Sequence, residues 1–193
     1  MKRPEWLTDT ALTWIRIGTK LTLLALTGLG VAAIYLIVFY SPGSDASYLE
    51  IAGTNYLQEQ MKPSLSGFLK WEFVIGLFFV GGLAVTKWAE DHSLNQELFD
   101  GHPKFPVEIP IWFGVALPVL MIGFAIGLLI TGISTLFLVV GTLFDANRDI
   151  ASFLILGGIL AVLDLLLYAH IVVAIWVRRE IKMLKSAAHP ILS

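Results

Sequence analysis

Two ionisable side chains, Asp164 and His170, stand in the otherwise apolar run GGILAVLDLLLYAHIVVAIWVRRE, residues 157–180. A carboxylate and an imidazole at membrane depth suit three chemistries. They can pass a proton or couple an ion, the imidazole can ligate an iron, or it can activate a nucleophile. A relay needs more than one ionisable group at depth. Residues 21–40 and 118–140 contain none, and Glu72 falls near one end of its own apolar run. A bis-histidine haem site needs a second axial histidine, but His92, His102 and His189 fall in segments that read as loop or tail.

Helical geometry separates the pair. His170 is six residues beyond Asp164, about 240° around and about 9 Å along a helix, so the two cannot meet directly. Asp164 lies about 21 Å from Arg178 along the axis, too deep to reach water by extension. Insertion scales set the cost of a central aspartate at about 2.5–3.5 kcal/mol, so it requires a hydrogen-bonding partner, a proton or a wet cavity. Gly157, Ala161 and Tyr168 share its side of the helix, a small and polar stripe expected to face inward.

A second stripe carries candidate partners. Gly123, Gly127, Thr131 and Thr135 recur every four residues. They make a small-xxx-small face on which backbones approach closely and hydroxyls bond across. This stripe is expected to receive the helix of Asp164, with Thr131 or Thr135 beside the carboxyl. Nearby, Gly132-Ile133-Ser134 resembles half of a rhomboid-type serine site, which implies a hydrolase with Ser134 as nucleophile and His170 as base. Thr135 stands where glycine would complete that motif, and the chain has fewer spans than that fold.

The elements that must hold these residues follow from composition. Of 193 residues 56% are hydrophobic and 15% charged, against roughly a quarter charged in soluble domains. The apolar residues are gathered in long blocks, so the bilayer is the main solvent. Cysteine is absent, which removes disulfides, thiolate metal sites and cysteine nucleophiles. The net charge of −2 leaves no footprint for nucleic acid.

Four transmembrane helices are predicted in an all-α integral membrane protein. Residues 1–19 form a terminal segment whose Trp6, Thr10, Trp14 and Ile17 share a face; it either lies along the interface as an amphipathic helix or extends the first span. Residues 21–40 form the first span, too long for a cleaved leader core. A polar loop, 41–66, precedes the second span, 67–88, with Trp71 and Trp88 at aromatic-belt positions. The loop 89–108 is acidic and reads as solvated; its histidines, ten apart, match no tight ligand motif. Residues 109–144 carry no charge and would run about 54 Å if wholly helical. The segment 109–140 is therefore expected to divide into an interfacial lead-in around Trp112 and a bent or long third span from about Pro118. A turn at 141–150, a fourth span at 151–177 and a basic helical tail at 178–193 complete the chain.

Lysine and arginine fall mostly in residues 1–20, 87–104 and 178–185, with Lys62, Lys70 and Arg148 on the opposite side. Both termini are therefore expected in the cytoplasm. The sequence reads as a non-catalytic subunit or assembly factor in a bacterial inner membrane, bound by lipid and by other subunits or copies of itself, with no cofactor or metal assigned. An ion- or proton-coupled transporter component using Asp164 is the alternative, and a redox anchor ligating through His170 a further one.

Overall fold

A computed structural model describes the backbone of residues 4–39, 48–98, 109–144 and 150–188. Residues 145–149 of the expected turn, His102 and His189 lie outside the described residues. Among the described residues all regular structure is helical: α1 Asp9–Phe39, α2 Tyr48–Leu98, α3 Phe113–Phe144 and α4 Ile150–Ala188. Each contains a stretch long and apolar enough to cross a membrane, at Asp9–Tyr35, Ser64–Ser93, Phe113–Val140 and Leu154–Ser186.

Local chemistry fixes the helix starts. Thr8 caps α1, its hydroxyl accepting the Ala11 N–H at 3.2 Å. Asp9 places negative charge in the first turn, where the helix dipole favours it. Leu7 and Leu12, flanking the cap at the positions of a hydrophobic staple, are both fully buried. From Asp9 the helix runs unbroken to Phe39, so residues 9–19 and the first span are one element.

Two boundaries differ from expectation. α2 has 51 residues and takes in most of the 41–66 loop and the first part of the 89–108 loop, about 75 Å of helix. Leu, Glu, Gln, Met and Ala in these flanks are good helix formers, and a polar helix needs no lipid to persist. α3 starts at Phe113, ahead of Pro118. Pro110 O accepts the Phe113 N–H at 2.9 Å, and the lead-in shrinks to a single turn at 111–112. Pro118 lies in the second turn of α3, where it forgoes the one ladder bond that its N–H would have made to Gly114 O.

The chain divides into two compact units, one of Met1–Thr19 with Gly81–Ser193 and the other of Lys20–Val80. In the first, apolar stripes at helical spacing form the core. They are Leu12 and Ile15 on α1, Val85 and Trp88 on α2, Phe113 to Phe124 on α3, and Leu166 to Ile181 on α4. Burial is concentrated in the first half of α3 and the second half of α4, which pack antiparallel at one end. In the second unit Ala33 and Phe79 are buried while most large apolar side chains face outward.

Candidate functional site

Asp164 lies in the seam between α3 and α4. Thr131 Oγ1 hydrogen-bonds to Asp164 Oδ1, and Thr135 Oγ1 donates to Oδ2 at 3.2 Å. Each hydroxyl is also close to a carbonyl of its own helix, Thr131 to Gly127 O at 3.0 Å and Thr135 to Thr131 O at 2.9 Å. A threonine has one proton, so each is shared between carbonyl and carboxyl. Gly127 admits the neighbouring turn: a Cβ there would touch both Leu167 methyl groups at 3.5 Å. Gly157 meets Leu138 in the same manner at 3.6 Å, and Gly123 is half-buried on the α3 stripe.

The inward face of α4 is rotated from its expected position. Tyr168 and Ala161 are exposed, and Tyr168 stacks on Trp6 with ring centroids 6.4 Å apart. They lie about 40° and about 60° to one side of Asp164, whereas buried Leu167, His170 and Ala174 lie to the other. Asp164 thus stands at the border of the buried face.

His170 is 2% exposed and points toward α1 and α2. Its Nδ1 is 2.8 Å from Leu166 O. That carbonyl can only accept, so Nδ1 carries a proton. Nε2 lies 3.1 Å from Thr19 Oγ1, whose hydroxyl also reaches Ile15 O at 2.6 Å. One ring face lies on Phe124, with centroids 4.8 Å apart. The Cδ2–Nε2 edge meets the α2 backbone at Gly82, where a Cβ would stand 2.6 Å from Cδ2 and 2.8 Å from Nε2. The space among Gly82, Val85, Leu120, Phe124 and His170 has no room for a water molecule. Both ring nitrogens are directed at protein groups, Nδ1 at Leu166 O and Nε2 at Thr19 Oγ1.

Ser134 is not brought to His170. It is exposed, and its hydroxyl donates to Ile130 O at 2.9 Å. Its turn of α3 is level with Asp164, about 9 Å along the axis from His170.

For His92 the structure corrects the reading of a solvated loop. It lies on α2, 2% exposed, with its ring stacked on Trp88 at 4.9 Å and 10°, and Trp176 of α4 at 6.4 Å. Its Nε2 is 3.7 Å from Oε2 of buried Glu180. Trp88 in turn meets Phe113 edge-on at 5.9 Å. Around this layer, Arg16 Nη1 donates to Glu90 Oε2 at 2.5 Å, Thr13 to Glu90 Oε1 at 3.4 Å, and Ser93 to Asp9 Oδ1 at 2.9 Å. The acidic segment therefore spends part of its charge inside the molecule. A signal for this layer exists in the sequence: Trp88 with His92, and Trp176 with Glu180, both four apart on one helix face.

Among the described residues no group of three or more His, Asp or Glu side chains converges to hold a metal ion. What the arrangement does chemically is to satisfy buried polar atoms across helices. Interhelical hydrogen bonds in membranes contribute about 0.6 kcal/mol each on average, enough to fix register when several act together. No protein family, curated protein or solved structure matches this chain.

Proposed function

We propose that the chain is a non-catalytic, multi-pass subunit or assembly factor of a larger membrane protein complex. The observation that carries this reading is the use made of its intramembrane polar groups. Asp164 is engaged by Thr131 and Thr135, and His170 by Leu166 and Thr19, so groups able to do chemistry serve helix association instead. Large apolar side chains meanwhile face outward along the rest of α3 and α4, Phe137 and Leu165 among them, a surface for lipid or neighbouring helices. The distribution of lysine and arginine supports cytoplasmic termini, and the proposal places the chain in a bacterial inner membrane.

Crosslinking in native membranes, then purification in mild detergent and mass spectrometry, tests the reading. A stoichiometric membrane partner is expected, and its loss on replacing outward residues such as Phe137 or Leu165 with polar ones. Recovery of a stable, uncrosslinked monomer with ion or solute flux in reconstituted vesicles would overturn it in favour of transport.

A further inference from the structure

Glu72 is the ionisable side chain that the preceding contacts leave unexplained. It lies in α2 within the stretch Ser64–Ser93, which is long and apolar enough to cross a membrane, near one end of the apolar run. Lys70 and Trp71 precede it and are exposed, as residues at the headgroup level commonly are. The Glu72 side chain turns onto α1 at Gly30, where a Cβ would stand 2.5 Å from Oε1 and 2.8 Å from Oε2. Glycine alone permits this approach. Oε2 is buried and receives no hydrogen bond from the described residues, and the nearby Thr27 hydroxyl donates to Leu23 O at 2.9 Å.

The carboxyl opens onto a groove between α1 and α2 of about 440 Å³. Leu23, Leu26 and Ile34 line one side, Leu69, Phe73 and Leu77 the other. Gly76 keeps it deep, with no atom within 4 Å of where its Cβ would stand. A mainly apolar concavity of this size with one polar group is the composition of a small-molecule site. A carboxylate that lines such a groove without a donor among the described residues calls for one, above all a cationic one.

We propose that the α1–α2 groove binds a phospholipid with a primary ammonium headgroup, whose N–H donates to the Glu72 carboxylate where it lines the groove, while an acyl chain lies along the groove toward Val80. The depth of Glu72, next to exposed Trp71, favours a lipid because headgroups occupy that level of every bilayer. The negative charge selects a cation. The missing hydrogen bond selects an ammonium that retains its protons, which a quaternary headgroup lacks. The proposal requires only the membrane spans, so the chain purified alone tests it independently of any partner subunit.

The experiment is native mass spectrometry of the full chain, stripped of lipid in mild detergent and offered phosphatidylethanolamine and phosphatidylcholine with identical acyl chains. Wild type should retain the ethanolamine lipid over the choline lipid by roughly tenfold, the equivalent of one charge-assisted hydrogen bond. Glu72→Gln should reduce that preference several-fold, and Gly76→Leu should lose both lipids. Mono- and dimethylated ethanolamine lipids, tested on wild type, should be retained progressively less as N–H groups are replaced, a measurement that needs no variant to fold. Equal retention of both headgroups by wild type, no retained lipid, or an undiminished preference in Glu72→Gln overturns the proposal.

Discussion

Among individual side chains, the two groups that first suggest catalysis are each held by contacts to a neighbouring helix, Asp164 to Thr131 and Thr135, His170 to Thr19. The contact at Gly82 is the most demanding, because any side chain there collides with the His170 ring and with Phe124, whose Cζ would be 3.0 Å away. Gly82→Ala should lower stability by about 1–3 kcal/mol, the usual range for overpacking. Gly28 has no atom within 4 Å of its Cβ position. Gly28→Ala should therefore be neutral or gain up to about 1 kcal/mol in helix propensity. Thermal unfolding of the two variants in the same detergent distinguishes them. A double-mutant cycle of Thr131→Val with Asp164→Leu, read by steric trapping or denaturant titration in bicelles, should give a coupling of about 0.6–1.7 kcal/mol. The separation of Asp164 from His170, and the threonines opposite Asp164, could be read from the sequence because both depend on rotation per residue within one helix. Thr19 and Gly82 could not. Nothing local distinguishes a threonine that meets an imidazole from one that faces lipid, since that depends on which helices approach each other.

For the helices, hydropathy locates four spans but misplaces helix ends. It reports where a chain prefers lipid, and a helix can leave lipid without ending. α2 is the clearest instance, since its backbone is helical from Tyr48 although the sequence up to about residue 66 is largely polar. Backbone amides in residues 52–62 should therefore exchange with solvent more slowly than an unstructured loop, by hydrogen exchange in nanodiscs. Rates matching random coil would support the loop reading of 41–66 instead. The same distinction explains His92. Segment 89–98 is polar in composition, yet its helical spacing brings one histidine under Trp88 while Asp91 stays exposed. The α1 start has its own test. Thr8→Ala removes a cap of about 1 kcal/mol, seen as a lower midpoint in denaturant titration.

Across the protein, burial within the larger unit is uneven. Residues 117–124 and 166–177 pair through buried side chains, whereas 129–140 and 154–162 present theirs outward. The former should show stronger exchange protection in micelles. The aromatic layer at Trp176 should matter more than the ion pair near it. Trp176→Ala should cost about 3–5 kcal/mol by leaving a cavity. The pair of Arg16 with Glu90 is partly exposed, so Arg16→Gln should cost less than about 1 kcal/mol. The bond between Thr19 and His170 also sets a schedule for synthesis. Its partners are separated by 151 positions in the chain. At ribosomal rates the first helix waits on the order of ten to thirty seconds in the membrane before the last emerges. Throughout that interval the Thr19 hydroxyl, and from its own synthesis onward the seat on Gly82, are open to other occupants. The period before the fourth helix arrives is when an insertase or chaperone has most to protect.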